Sequence, residues 1–407
     1  MMSLSGWLGG VLLLLSSGVL HAADVCHPQI KAPADAIQAK QQIAQFESLL
    51  TIASDRATVQ YMVATEQAHV GAWDAAYRNL DSAIAARPWF DPSGDAAFAP
   101  ALECPLVQRA IADVHAHHAA VGARLFRTIP PADLIPEGLA VDPASGDFYL
   151  SSIFHRKIVR FRADGPPHDF ISSRQDGTLG VLGIRIDPRD GTVWANSQAA
   201  GKAWLHHWDR SGKLIARYTL RGGEHLFNDL VVDRKGNVWL TDSAENSLYT
   251  LQQGSRTLER IALPHAFYPN GIALSDDEKH LYVSDAFELF RIDIATRAID
   301  RLRPQDGLSI AGFDGLYFYR NSLIGIQNGV GTPRVLRVKL SADGARVLGV
   351  RVLEYRSPLV EIPTTGAIYK DQFYFIANSQ IDQLQGEKIR DRAKLKPVHI
   401  AVVPLPH

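Results

Sequence analysis

The stretch PEGLAVDP, Pro136 to Pro143, sets a glutamate and a glycine directly ahead of an apolar alternation that reads as a buried strand. The same layout returns as LGIRIDP, NDLVVDR, NGIALSD, DGLYFYR and TGAIYKD. With the first string taken as EGLAVDP, the second residues of the six are Gly138, Gly183, Asp229, Gly271, Gly315 and Gly366, spaced by 45, 46, 42, 44 and 51 residues. Each opening strand runs into a tight turn such as DPASGD, DPRDGT or DRKGN and then into a second strand such as FYLSS, VWANS or VWLTD. Two further strands fit before the next opening.

A four-stranded sheet repeated at about 45 residues is a propeller blade, so the pattern predicts a mainly β chain with a six-bladed β-propeller from Leu134 to the C-terminus. A β-sandwich would not keep a fixed period with the same internal order. In a propeller the first residue of each innermost strand turns toward the central axis at one face. Read in blade order, that position holds Glu137, Leu182, Asn228, Asn270, Asp314 and Thr365. Carboxylates and amide oxygens without cysteine or histidine favour Ca²⁺ over zinc or copper, with two anionic ligands to neutralise the cation. Without a cation, two carboxylates in a narrow channel raise each other's pKa.

The strand after each opening strand ends on the same face and supplies the walls of the expected pocket: Ser152 and His155, Asn196, Asp242, Asp285, Asn328 and Asn378. His155 is the single histidine among them and is a candidate proton shuttle, set against a rim histidine without chemistry. Asp242 and Asp285 read either as pocket walls or as turn-capping carboxylates.

Ahead of the repeats the character differs. Residues 1–23, with an apolar run from Trp7 to Leu15 and a closing HAA, suit a secretory signal, although no Lys or Arg precedes the run. The run is too short to span a membrane. Residues 24–127 read as a helical domain, in which Ala64, Gly71, Ala76, Leu80, Ala83 and Pro88 follow the spacing of one tetratricopeptide helix pair. One repeat makes no peptide groove, so a helical cap packed on its neighbour is the expectation. His115, His117 and His118 offer either a metal site or a solvated helix face. The third segment, 128–407, is the propeller. Cys26 and Cys104 are the only cysteines, available for one disulfide in an exported chain. A net charge of -1 argues against an electrostatic hold on nucleic acid or anionic lipid and fits a small neutral or weakly charged ligand. Phosphate loops, nucleophile elbows and Cys/His zinc spacings do not occur.

The motifs PEG, FND, PNG and FDG, in that blade order, resemble the calcium-dependent six-bladed propellers of the senescence marker protein, gluconolactonase and luciferin-regenerating-enzyme family, with paraoxonase and diisopropylfluorophosphatase as structural relatives. The resemblance implies that Glu137, Asn228, Asn270 and Asp314 hold Ca²⁺ or touch substrate beside it. It also implies hydrolysis assisted by the cation, with Asp314 as base toward water or as direct nucleophile. Two positions depart from the pattern. Leu226 stands where gluconolactonases carry an arginine, and Leu182 where paraoxonases carry a histidine. Both make the rim more apolar, which turns the expected substrate from a sugar-acid lactone to an apolar lactone or aryl ester. The rival reading is a non-catalytic propeller, stabilised by its metal, that binds a small ligand or a protein partner through its top face and helical domain.

Overall fold

The computed structural model describes residues 26–30, 36–303 and 308–406, so the expected secretory signal at 1–23 lies outside the described residues. Six four-stranded antiparallel sheets follow one another around an axis, with one small extra hairpin at Leu384–Ile389. Blade 1 runs Leu139–Val141, Phe148–Ser152, Lys157–Phe161 and His168–Ile171. The innermost strands of the next five blades are Gly180–Ile186, Phe227–Val232, Ile272–Leu274, Phe313–Phe318 and Gly366–Tyr369. Alternate residues of each sheet pack into the clusters between blades, for example Val193 and Ala195 toward blade 1 and Trp194 toward blade 3.

Blade 6 is closed differently from the expectation that the repeats fill Leu134 to the C-terminus. Its strand order is Gly366–Tyr369, Gln372–Ile376, Val398–Pro404 and then Arg124–Ile129, with Arg127 opposite Ile400. The outer strand therefore comes from ahead of the repeats and crosses the expected boundary between the helical segment and the propeller at 127. Joining the two ends of the repeat region in one sheet leaves no blade free to swing open, the same solution to exposed edges that closed barrels reach.

Among the described residues four α-helices precede that strand: α1 (Ala36–Leu49), α2 (Arg56–His69), α3 (Trp73–Ala86) and α4 (Pro105–His117). Asp55 caps α2 by accepting from Thr58 N, and Pro105 opens α4 at a position where its missing N–H is not needed. Ala64, Ala68, Ala76 and Ala83 are fully buried and let α2 and α3 lie close, as the tetratricopeptide spacing predicts. Cys26 and Cys104 are disulfide-bonded, with Cα atoms 5.9 Å apart, and tie the described N-terminus to the start of α4.

The helices form a cap on blades 4 and 5, on the face where the inner strands begin. Ser54 N donates to Glu288 Oε1 (2.8 Å), Trp89 Nε1 to Gln327 Oε1 (3.0 Å), and Arg334 Nη2 to Trp89 O (2.9 Å). The Arg334 guanidinium lies 3.9 Å from the Trp89 ring centre and 4.8 Å from that of Tyr355. Asp91, fully buried, faces Tyr355 and His115. The three histidines of α4 do not converge: His115 holds Asp91, His117 meets Asp113 O, and His118 packs edge-on to Trp89.

Around the axis the inner strands approach so closely that a side chain has no room. A Cβ on Gly138 would stand 2.0 Å from Leu182 O, a backbone atom that cannot step aside. Gly138→Ala is therefore expected to cost about 3 kcal/mol or more, at the upper end for overpacking. Gly349→Ala, where nothing lies within 4 Å, should stay within about 0.5 kcal/mol of the parent. Urea unfolding of the two variants makes the comparison, and equal midpoints would refute the close approach.

Candidate metal centre

One register position per blade is linked to the next around the axis by short contacts. Leu182 O crowds Gly138, and Asn228 O crowds Gly183 at 2.7 Å from where its Cβ would be. Thr241 Oγ1 donates to Asn270 O (2.8 Å), and Ser243 Oγ to Pro269 O (2.7 Å). Gly271 N donates to Phe313 O (3.3 Å) and Gly315 N to Thr364 O (3.1 Å). Thr365 Oγ1 donates to Glu137 O (2.6 Å) and closes the circle. Residues from blades distant in sequence are thus held side by side at the top of the channel.

Glu137 and Asp314 meet there, both almost entirely buried. Burial, and after it the charge of Asp314, pushes Glu137 well above the usual carboxylate range, while Ser379 Oγ offers one hydrogen bond at 3.3 Å. Burial raises Asp314 to about 6. Hydrogen bonds from Asn328 and Asn270 pull it back and the charge of Asp229 pushes it further up. Asn328 Nδ2 binds both Asp314 Oδ2 (2.7 Å) and Pro363 O (2.8 Å). Asp314 Oδ1 and Asn270 Oδ1 are buried without a hydrogen-bond partner. Asn228 directs Nδ2 to Ser243 Oγ (3.1 Å), which leaves its Oδ1 as the uncommitted atom. Among the described residues no three His, Cys, Asp or Glu side chains gather into a metal cluster. The donor set here is two carboxylates completed by amides, a combination suited to a hard divalent cation.

The remaining wall residues divide. Leu182 belongs to the ring and Asn328 positions Asp314, while Leu226 is half-buried with its N–H on Asp242 Oδ1 (3.0 Å). Asn196 is fully buried with neither amide atom paired. Four wall candidates are engaged elsewhere: His155, Asp242 and Asp285 follow the second of their two readings, and Asn378 departs from the pocket-wall expectation. His155 lies in a rim turn with Nε2 2.8 Å from Asp133 Oδ1, a carboxylate also held by Arg392, so it is tied into a surface ion pair away from Asp314. Asp242 Oδ2 binds His225 Nδ1 (2.7 Å), whose Nε2 is taken by Gly222 O (2.8 Å), so the pair is a loop clamp with no ring nitrogen left for substrate. Asp285 accepts from the N–H groups of Phe267, Phe287 and Glu288 at 2.7, 2.8 and 2.6 Å, and burial lifts it to about 7. Asn378 is bound at both amide atoms by Pro397 O and His399 N. Second strands end in polar residues that hold the top loops together, and backbone groups claim them before any ligand does.

Two features had no signal in the repeat pattern. Beneath the ring, Arg185 Nη2 binds the buried Asp229 Oδ2 (2.9 Å) and its guanidinium lies 5.1 Å from the Tyr317 ring centre. Below that plug the channel opens into an apolar cavity of about 300 Å³ lined by Leu139, Val141, Ile186, Val231, Leu274 and Phe318, on the face away from the four oxygens. Above the ring stands Tyr268, 44% exposed and two residues ahead of Asn270. Loss of water, and then the charges of Asp314 and Glu137, raise its phenol to about 12.

Residues 135–315 match the family model described as "SMP-30/Gluconolactonase/LRE-like region", a span that contains Glu137, Asn228, Asn270 and Asp314. The match covers less than half of the chain. The chain is similar to a gluconolactonase from Xanthomonas campestris, at 21% identity over 71% of this chain and 99% of that one, with a TM-score of 0.47. It is similar to a calcium-binding protein, regucalcin, from Agrobacterium tumefaciens at 17% identity, 70% and 96% coverage and a TM-score of 0.49. Virginiamycin B lyase from Staphylococcus aureus follows at 18% identity, 61% and 80% coverage and 0.48. No curated protein matches the chain.

The two carboxylates fix the sign of a stability change. In the metal-free protein Asp314 keeps its proton up to about pH 6, whereas the unfolded chain releases it near the ordinary 3.8. The stability this group contributes is complete below about pH 4 and is lost as pH rises through 6, by up to roughly 3 kcal/mol. Asp314→Asn should therefore match the parent near pH 4 and exceed it increasingly toward pH 7, read by urea unfolding of metal-free protein. A difference that does not change with pH would refute the buried pair.

Proposed function

We propose that the chain is an exported, Ca²⁺-dependent hydrolase of apolar lactones or aryl esters, with its chemistry at Glu137, Asn228, Asn270 and Asp314. The observation that carries this reading is the pair of buried carboxylates, set beside two amide oxygens and given too few hydrogen-bond donors. The unpartnered Asn270 Oδ1, beside the two carboxylates, fits an oxygen-preferring cation, and Ca²⁺ suits that donor chemistry better than zinc or copper. When bound, the cation supplies an electrophile for a carbonyl oxygen and for the negative charge that develops on it.

The chain's own groups would do the rest. Asn328 fixes Asp314 through Oδ2 and leaves Oδ1 uncommitted, in a place to accept a proton from water or to attack the carbonyl carbon itself. Glu137 is held by its backbone to Thr365 and by Ser379, and serves as an anionic anchor rather than a proton carrier. Leu182 and Leu226 give the rim an apolar character that favours an aryl or alkyl group over a polyol. No described helix is long and apolar enough to cross a membrane. The signal-like residues 1–23 and the Cys26–Cys104 disulfide support an oxidising compartment, periplasmic or extracellular. The net charge of -1 supports neither nucleic-acid nor membrane partners.

Phenyl acetate and δ-valerolactone, offered to purified protein with and without a chelator, test the reading. Turnover should vanish on chelation and return with Ca²⁺. Asp314→Asn should lower kcat by about 10² to 10⁴-fold, the range for loss of a proton-transfer group. His155→Ala should stay within about twofold of the parent, since its partner is Asp133. Ca²⁺ binding that raises Tm without turnover on either substrate would favour the non-catalytic, ligand-binding propeller instead.

A further inference from the structure

We propose that Tyr268 is the specificity wall of this centre, its ring stacking on an aromatic group of the substrate, and that the helical cap exists in part to hold it there. The inference rests on the ester-hydrolase reading and deepens it by naming the substrate's apolar group as aromatic.

Three observations carry it. Tyr268 has φ +56°, the left-handed region that bulky side chains avoid, and it precedes Pro269, a place where chains are normally extended. A glycine would occupy this backbone without penalty, yet the sequence places a large ring there. Such conformations persist only when surrounding structure determines them, and they gather at functional sites.

The surrounding structure does determine it. Tyr268 N donates to Asn246 Oδ1 (2.7 Å) and Phe267 N to Asp285 Oδ2 (2.7 Å), while Ala286 N donates to Phe267 O (3.0 Å). The Phe267 ring packs 5.6 Å from Phe287 and 5.3 Å from Phe46 of α1, so the cap grips the residue next to Tyr268. Asp285, expected to touch substrate, instead clamps the loop that presents the tyrosine.

Third, this clamped ring is left open. Among the described Phe, Tyr and Trp residues Tyr268 is the most exposed, at 44%, while Phe46 and Phe287 are buried. The neighbour of Tyr268, Pro269, accepts through O from Ser243 Oγ (2.7 Å), which itself accepts from Asn228 Nδ2 (3.1 Å), so the loop runs beside the candidate centre. A face presented by a clamped loop and partly open to solvent offers a flat partner contact at little conformational cost.

Binding can be separated from turnover with phenylphosphonate and methylphosphonate, two anions that differ only in the ring, titrated calorimetrically into Ca²⁺-loaded protein. Tyr268→Ala is expected to weaken phenylphosphonate about tenfold and to leave methylphosphonate and Ca²⁺ itself unchanged. Tyr268→Phe should stay within about threefold of the parent, because the face is retained. Phe46→Ala, which loosens the grip from the cap, should weaken phenylphosphonate severalfold with Ca²⁺ affinity intact. Equal phenylphosphonate affinity in the parent and Tyr268→Ala would overturn the proposal. So would no phenylphosphonate binding by the parent, or equal loss of both phosphonates and Ca²⁺ in Tyr268→Ala, which marks a structural residue. If the parent hydrolyses nothing, the hydrolase reading falls, and the phosphonate comparison still judges Tyr268.

Discussion

The centre depends on how little space six inner strands leave one another at the axis. Where Leu182 O lies against Gly138 and Asp314 O against Gly271, the backbones are in contact and the next residue toward the face must project inward. The side chains at that register have nowhere else to go. Closure of blade 6 by Arg124–Ile129 against Val398–Pro404 keeps the circle from relaxing. Convergence of Glu137 with Asp314 is thus imposed by packing, and the electrostatic cost of bringing two carboxylates together is carried by the fold as a whole.

The charges along the axis follow from this. Glu137, Asp314 and Asp229 bring three carboxylates to the channel, and Arg185 brings one guanidinium, bound to Asp229 at 2.9 Å and lying against Tyr317. Fully ionised, they leave two negative charges at the top of the channel, the amount one divalent cation neutralises. Arg185 is placed to serve Asp229 alone: it plugs the channel beneath the ring and separates the four oxygens from the apolar cavity below. The mouth above then remains the open approach to Asp314, and that is the face on which the cap sits.

The sequence disclosed the parts that repeat. Six openings at a near-constant spacing gave the blades, and the residue ahead of each small residue gave Glu137, Asn270 and Asp314 their shared position, because register in a strand follows from period alone. What did not repeat was not legible. The outer strand of blade 6 carries no opening motif and pairs with Val398–Val402, 269 to 278 residues further along the chain. Asp242, Asp285 and Asn378 look like pocket walls in a string of letters, but their oxygens are claimed by Leu226, Phe267 and His399 N–H groups, which only loop geometry reveals. Tyr268 gave no signal, since an aromatic ahead of Pro-Asn-Gly reads as an ordinary extended residue until its φ is known.

The cap and the top loops make sense together once that φ is considered. A left-handed tyrosine ahead of a proline costs on the order of 1–3 kcal/mol, which a loop exposed on a propeller rim cannot retain by itself. Asp285 offsets part of this with three backbone N–H bonds, at the expense of a buried carboxyl raised to about 7. Phe46, Phe267 and Phe287 add a packed aromatic cluster that exists only because α1 lies over blade 4. The cap in turn is fixed on blade 5 by Trp89, Arg334 and Tyr355, at a distance from the strained loop. Ser54 also holds the cap to Glu288 of blade 4, next to Phe287, so the grip on the Tyr268 loop and part of the seat of α1 share that blade.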